Sequence, residues 1–364
     1  MRMRYGFRPN IVPELPLTAS GDQDHFIIMR KILLNWLGVM DGTYVKVYRG
    51  FGHAHRMQIY GHVLSTHTIR KPYRKSSILR NIRMLLGLFF VKPVARRQVQ
   101  LKWGKQLVTT TTETDGFFRL EWSSESSVPA GEHKVLITCA CEKAGFIQNE
   151  GIVVVPHITQ LAMISDIDDT FLVSYSATRL RRLITLFRHN ARTRKAFADV
   201  ATHYQLLRFA QTHDNNPNPF FYVSSSEWNL YDYLEEFLNA RQIPTGILLL
   251  NQLKSWRQLL KTGKTHHQGK FARIVRIMEA FPEQTFILLG DNSQQDPAIY
   301  ASVAVHFPGR IHAVYIRLVV DKNEALTRAI LQPVIDAGTP CCLFRESKTA
   351  ILHSEDIGLI SNVE

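Results

Sequence analysis

Five short apolar runs in the second half of the chain are separated by segments with helical periodicity. The runs are residues 161–165, 220–224, 246–250, 286–290 and 311–316. Continuous apolar runs of this length are typical of strands buried on both faces of a parallel sheet. Helices are predicted at residues 176–189, 193–212, 227–241, 270–281 and 324–337. The pattern predicts a doubly wound, Rossmann-like α/β domain over residues 157–320, with residues 321–364 as an extension that packs on it.

The first half of the chain has a different pattern, in which apolar and polar residues alternate. Alternation is clear at Val45, Val47, Met57 and Ile59, and β-rich runs occupy residues 108–112 and 134–138. Turn formers follow at Asp115-Gly116 and at residues 129–131. Short strands divided by turns in this way predict a smaller β-sandwich domain over residues 43–156. Residues 1–42 then form an N-terminal extension.

Two basic segments interrupt these domains. In residues 76–97, apolar side chains at helical spacing are flanked by arginine and lysine, which predicts a basic amphipathic helix inserted in the β domain. Such a helix could lie on an anionic membrane surface or pack against the protein with a solvated charged rim. Residues 179–195 carry seven more cations, which could address lipid headgroups or a nucleic-acid backbone, or form a solvated helix face.

The composition indicates where the protein is located and which class of partner it binds. The formal net charge of +13 favours polyanionic partners, among which an anionic membrane surface is preferred here over nucleic acid. The four cysteines form two close pairs that match no zinc or disulfide pattern, so reduced thiols are expected. Neither a signal peptide nor an apolar run of about 20 residues is present. We therefore predict a cytoplasmic protein that is peripheral at the inner face of the membrane.

Three carboxylates follow the first apolar strand of the second half. The run from Met163 to Thr170 places Asp166, Asp168 and Asp169 at the carboxyl end of that strand, where ligands of α/β sheets bind. Two residues apart, Asp166 and Asp168 can both face the site. A carboxylate can attack phosphorus and form an acyl phosphate, so Asp166 is the candidate nucleophile and Asp168 the candidate proton shuttle. A plain strand-end turn is the alternative.

A second carboxylate group follows the strand at residues 286–290. Asp291 is the predicted partner of Asp166 and Asp168 in holding Mg²⁺, which prefers oxygen ligands, although Asp291 could instead cap a helix. Asn292 and Asp296 are candidates for residues that do not bind the metal but hydrogen-bond to its ligands or to a metal-bound water. Asp296 could alternatively be a turn residue before Pro297.

Three further side chains are candidate ligands of a substrate phosphate. Ser224 ends an apolar strand, Lys270 begins an amphipathic helix, and Thr170 closes the first carboxylate motif. A hydroxyl or ammonium group at strand ends and helix starts suits phosphoryl oxygens. Ser225 and Ser226 compete with Ser224 for its role, and Lys264 competes with Lys270.

The ordered set of these motifs resembles the haloacid dehalogenase phosphatase superfamily. A closer resemblance, over roughly residues 155–320, is to the catalytic domain of the actin-patch-associated type of phosphatidate phosphatase. The segments that carry it are residues 165–170, 222–231, 243–246 and 290–300. The chain departs from that family's pattern at Glu227, where Pro is frequent, and at Asn292, where Ser is frequent. Residues 115–118 and 129–135 resemble the immunoglobulin-like or transthyretin-like module of bacterial relatives.

The resemblance implies a Mg²⁺-dependent phosphatase that converts phosphatidate to diacylglycerol and phosphate through an aspartyl-phosphate intermediate. One alternative is a phosphatase that acts on a soluble or nucleic-acid phosphomonoester. Another is a lipid-binding protein without catalysis on the same fold. Paired carboxylates at strand ends favour the enzyme, because a binding module does not need them.

Overall fold

A computed structural model gives the architecture of most of the chain. It describes residues 29, 32, 39–53, 55–68, 87–141, 145–157, 159, 161–167, 199–213, 215–251 and 267–361. Several predicted features lie outside the described residues: Asp168, Asp169, Thr170, Lys264, the helix at residues 176–189 and the basic run at residues 179–195.

The first half of the chain forms an eight-stranded sheet. Its strands are β1 (Val39–Val47), β2 (Gly50–His53), β3 (Arg56–Thr68), β4 (Gln98–Trp103), β5 (Gln106–Thr111), β6 (Phe117–Ser123), β7 (Gly131–Cys141) and β8 (Gly145–Val155). The order is β1-β3-β2-β8-β7-β4-β5, and β6 pairs with β3. All pairs are antiparallel except β2 with β8, which are parallel. The predicted strands are therefore present, within a sheet that is mixed.

Alternation of side chains gives this sheet its own core. In β6, Phe118, Leu120 and Trp122 are buried while the residues between them face solvent. They share one apolar cluster with residues of β1, β3, β4, β7 and β8. Because successive side chains along a strand point to opposite faces, apolar residues at every second position are enough to bury one face of the sheet.

The predicted basic helix ends earlier than the pattern indicated. Of residues 76–97, the structure describes residues 87–97, and only residues 87–89 are helical. The prediction that the helix runs to Arg97 is wrong. Pro93 lacks an N–H donor and disfavours helical geometry at Lys92, so the helix cannot continue through it.

The second half forms a six-stranded sheet in which every pair is parallel. Its strands are β9 (Leu161–Ser165), β10 (Phe220–Glu227), β11 (Ile247–Asn251), β12 (Thr285–Asp291), β13 (Ile311–Arg317) and β14 (Cys341–Phe344), in the order β11-β10-β9-β12-β13-β14. Each residue of β9 is buried, as expected for a central strand covered on both faces. The prediction of an α/β protein with a parallel sheet is confirmed.

Six described helices accompany this sheet. They are α1 (Val200–Arg208), α2 (Tyr231–Ala240), α3 (His267–Ala280), α4 (Asp296–His306), α5 (Glu324–Asp336) and α6 (Ser347–Asp356). Sequence reasoning did not predict α4, α6 or β14. The C-terminal residues are thus more than a covering helix, because β14 pairs with β13 and extends the parallel sheet. Within the described part of the chain, no helix is both long enough and apolar enough to cross a bilayer.

Aromatic side chains join the two sheets. Tyr48 stacks on Trp228 with ring centroids 4.2 Å apart, and Phe51 contacts Phe221 edge-on at 5.3 Å. Tyr48 and Phe51 belong to the apolar cluster of the parallel sheet rather than to that of the first sheet. An ion pair of 2.7 Å between Lys46 and Asp232 lies at the same boundary. Trp228 follows the predicted site residue Ser224 by four positions, directly after the end of β10.

Candidate active site

Strand register brings the predicted site residues to one edge of the parallel sheet. Ser165, the last residue of β9, lies beside Tyr222 of β10 and Leu289 of β12. The next residues along these strands therefore leave the sheet at the same end. Among them is Asp166, whose backbone N–H donates to the carbonyl of Leu289 at 2.8 Å.

Three carboxylates meet at this edge. Oxygen atoms of Asp166, Asp291 and Asp296 all lie within 4.8 Å of one another, and the three side chains are buried. Three negative charges cannot be held this close in a low-dielectric environment without positive charge to offset them. Nearby cations therefore stabilise the cluster in its ionised form.

Lys270 supplies one of these cations. Its ammonium lies 2.9 Å from Oδ1 of Asp166 and also forms an ion pair with Asp296, and the Lys270 side chain is 4% exposed. Burial alone would lower the pKa of Lys270, but the carboxylates of Asp166 and Asp296 outweigh this and raise it above its usual range. The ammonium is therefore charged at neutral pH and links the first carboxylate motif to the second.

Asp296 supports the site through both of its carboxylate oxygens. Oδ1 accepts a hydrogen bond from Lys270, and Oδ2 accepts one from the backbone N–H of Asp291 at 3.4 Å. Burial raises the pKa of Asp296 to about 7, with Lys270 lowering it and Asp166 raising it. Of the two interpretations that the sequence left open, this geometry favours the supporting role over the simple turn.

Gly290 makes room for this arrangement. A Cβ atom at Gly290 would lie 2.8 Å from Oδ2 of Asp296 and 2.8 Å from Cε2 of Tyr300. Both neighbours are buried and hydrogen-bonded, since the Tyr300 hydroxyl donates to the Leu289 carbonyl at 2.9 Å. A side chain at position 290 would therefore displace Asp296.

We expect Gly290→Ala to destabilise the protein by about 1–3 kcal/mol, the usual effect of overpacking a core, and to lower activity through Asp296. Urea unfolding monitored by circular dichroism and phosphate release measure the two effects. Gly269→Ala is the matched control, because a Cβ there would meet only Arg273 Nη1, at 3.6 Å. Equal stability of the two variants would contradict the close-packing interpretation.

Ser224 is fully buried within the neighbouring strand β10, which continues for three residues beyond it, so the prediction that Ser224 ends the strand is wrong. Its Oγ accepts a hydrogen bond from the backbone N–H of Ser226 at 2.9 Å, and its carbonyl accepts one from Nη2 of Arg273 at 3.1 Å. Arg273 was not among the residues singled out from the sequence. Its spacing of three from Lys270 was the available signal, because residues three apart share a helix face.

Asn292 holds a loop in place. Its Oδ1 accepts hydrogen bonds from the backbone N–H groups of Val319 and Val320 at 2.7 and 2.9 Å, and its Nδ2 donates to the Val320 carbonyl at 2.8 Å. Serine is frequent at this position in the resembled family. Its side chain is too short to accept from the N–H groups of Val319 and Val320 and also donate to the Val320 carbonyl. Asn292 therefore fixes the segment that follows β13.

The donor set fits a hard divalent cation. The oxygens of Asp166, Asp291 and Asp296 form a buried group that could bind a metal, and Mg²⁺ and Ca²⁺ are the ions that prefer such ligands.

A parallel sheet whose carboxyl edge holds a buried carboxylate cluster and a buried lysine has the features of a catalytic domain of the phosphatase class. Comparison with known proteins agrees: residues 161–318 match the family model described as "Phosphatidate phosphatase APP1, catalytic domain". The resemblance predicted from the motifs is confirmed for this segment. The matched segment begins at the first residue of β9 and ends just after β13.

Two curated relatives match part of the chain. Phosphatidate phosphatase APP1 of Saccharomyces cerevisiae is 30% identical over 158 residues, which cover 43% of this chain and 26% of the yeast protein. An uncharacterized protein of Schizosaccharomyces pombe is 25% identical over 143 residues, which cover 36% of this chain and 23% of that protein. The chain thus spans about a quarter of the length of the curated relatives it matches.

Among solved structures, a carbohydrate acetylesterase from Xanthomonas citri is similar over 81% of this chain and 74% of its own, with 9% sequence identity and a TM-score of 0.27. A similarity this low carries no argument about fold or function.

Proposed function

We propose that this chain is a Mg²⁺-dependent phosphatidate phosphatase with a haloacid dehalogenase-type catalytic domain. The observation that carries the proposal is the contact of 2.9 Å between Lys270 and Asp166 within a cluster of three buried carboxylates. A buried carboxylate that is held ionised by a permanent cation, at the edge of the sheet where ligands bind, is suited to act as a nucleophile.

In the proposed reaction, a carboxylate oxygen of Asp166 bonds to phosphorus while the bond to the ester oxygen breaks. Asp168 protonates the leaving oxygen and then takes a proton from the water that hydrolyses the aspartyl phosphate. Mg²⁺, when bound by Asp166, Asp291 and the backbone carbonyl of Asp168, supplies positive charge that offsets repulsion between carboxylate and phosphate. Lys270, Ser224 and Thr170 hold phosphoryl oxygens in this scheme.

The choice of phosphatidate rests on the similarity of residues 161–318 to a phosphatidate phosphatase domain and on the formal charge of +13. A positively charged protein is attracted to an anionic lipid surface, where this substrate resides. The expected location is therefore cytoplasmic and peripheral to the membrane, and the expected product is diacylglycerol.

The test is phosphate release by the full chain from three substrates side by side: phosphatidate vesicles, DNA ends that carry a 5′-phosphate, and a sugar phosphate. We expect turnover in Mg²⁺ to be fastest on phosphatidate, to stop in EDTA, and to return when Mg²⁺ is restored. EDTA removes the charge that the carboxylate cluster requires, so the loss should be complete rather than partial.

Each result separates one part of the proposal. Turnover that survives EDTA would contradict the metal assignment, and equal rates on all three substrates would contradict the choice of phosphatidate. Vesicle binding without release of phosphate from any substrate would favour the lipid-binding alternative.

A further inference from the structure

Arg273 is a second cation at the site, and it lies on the same face of α3 as Lys270. Side chains of a helix lean toward its N-terminus, so residue 273 reaches back over the first turn of α3. The position of Nη1, 3.6 Å from where a Cβ at Gly269 would lie, agrees with this direction. Nη2 donates to the carbonyl of Ser224 at 3.1 Å. The guanidinium group therefore lies between the start of α3 and the part of β10 that carries Ser224.

The charge of Arg273 is not neutralised by a close partner. Among the described residues, no carboxylate lies within ion-pair distance of its guanidinium group, and its Nε is buried without a hydrogen-bond acceptor. Burial and then Arg276 lower the pKa of Arg273 to about 10, against an opposing effect of Asp166, so the group remains charged at neutral pH. The side chain is half-buried, so its charge is only partly solvated and the buried Nε–H has no acceptor. An anion bound beside the guanidinium group would offset both costs.

The contrast with Lys270 indicates what this anion is. Lys270 directs its ammonium to Asp166 and Asp296, and both carboxylates belong to the protein. Arg273 has a single described hydrogen bond, which goes to a backbone carbonyl, so most of its five donors are available. A planar guanidinium group can bind two oxygens of a phosphate at once, which an ammonium cannot do.

We propose that Arg273 is a substrate-binding residue that donates hydrogen bonds to the phosphoryl oxygens of the bound phosphomonoester. This inference rests on the proposed function, because it assigns the anion of that site. It adds a second cation of α3 to the proposed phosphate site. Lys270 binds from the side of Asp166, which it also holds ionised and in position, and Arg273 binds from the side of Ser224.

The experiment compares inorganic phosphate binding by the full-length wild type, Arg273→Gln and Arg273→Lys, measured by isothermal titration calorimetry in Mg²⁺. We expect Arg273→Gln to weaken phosphate binding by roughly 10- to 100-fold, the range for loss of a hydrogen bond to a charged group. Arg273→Lys, which keeps the charge but loses the paired donors, should fall between it and the wild type. The Arg328→Gln control removes an exposed arginine of α5 and should bind phosphate as the wild type does.

A purely structural role of Arg273, as a support for the Ser224 carbonyl, would give a different result. It would lower thermal stability and kcat in both Arg273 variants while phosphate affinity stayed unchanged, and this would overturn the inference. Phosphate affinity of the wild type too weak to detect would overturn it as well. If Arg273→Gln does not fold, Arg273→Lys decides alone: unchanged affinity contradicts the inference, and affinity lowered several-fold supports it.

The two proposals can fail separately. A wild type that binds phosphate through Arg273 but releases none from any ester would leave this inference standing and contradict the phosphatase. A wild type that turns over phosphatidate with the same KM as Arg273→Gln would leave the phosphatase standing and contradict the role of Arg273.

Discussion

An Asp166→Asn protein should lose phosphate release by roughly 10⁴-fold or more, the effect of removing a nucleophile in other covalent enzymes, and should keep its fold. Asparagine has nearly the same shape as aspartate, but its amide cannot form the acyl phosphate. The substitution also removes one of three clustered negative charges, so repulsion from Asp291 and Asp296 falls. Phosphate release and far-ultraviolet circular dichroism are the two measurements.

Asp321→Asn provides the matched control, because the side chain of Asp321 is 86% exposed and pairs with Arg345 at the surface. The same chemical change there should leave turnover unaltered. Activity of Asp166→Asn above about one per cent of the wild type would contradict the assignment of Asp166 as the nucleophile, since removal of such a group leaves far less.

Lys270→Met should be the most destabilising single change at the site, by about 3–5 kcal/mol, the range for removing one partner of a buried ion pair. Methionine fills a similar volume but leaves the buried carboxylates of Asp166 and Asp296 facing each other without a counter-ion. Activity should be lost too, since the nucleophile is then no longer held ionised and in position. Urea unfolding gives the loss in the free energy of unfolding.

Mg²⁺ provides a second measurement on the same protein. If the destabilisation comes from uncompensated negative charge, Mg²⁺ should raise the melting temperature of Lys270→Met by more than that of the wild type. Lys322→Met, a change at an exposed residue, is the control and should show the wild-type response. An unaltered free energy of unfolding for Lys270→Met would rule out the electrostatic account.

The parallel sheet and the meeting of Asp166 with Asp291 could be predicted because both follow from strand ends. A buried parallel strand has a continuous apolar sequence, and all such strands deliver their next residues to one edge. Lys270 could be placed because it opens a clearly amphipathic helix. The predicted catalytic, metal-binding and phosphate-binding roles of these residues stay predictions until the variants are measured.

Other features had no local signal. Helix α4 is apolar on most of its surface, so it lacks the contrast between faces from which a surface helix is predicted. Strand β14 has four residues, which is too short for a pattern to be distinguished from a loop. Arg273 was missed because an arginine on a helix is usually solvated. Its spacing from Lys270 places it on the same helix face, but its contact with the Ser224 carbonyl joins residues that are distant in sequence, which no local pattern shows.

The stacking of Tyr48 on Trp228 has a consequence for how the protein unfolds. Side chains of the first sheet complete the apolar cluster of the second, so neither half keeps its full buried surface when the other is lost. The two halves should therefore melt in one cooperative transition, although their chain topologies are independent. The site around Ser224 should then unfold when the less stable of the two sheets unfolds. A substitution in the first sheet can therefore reduce turnover even though it alters no site residue.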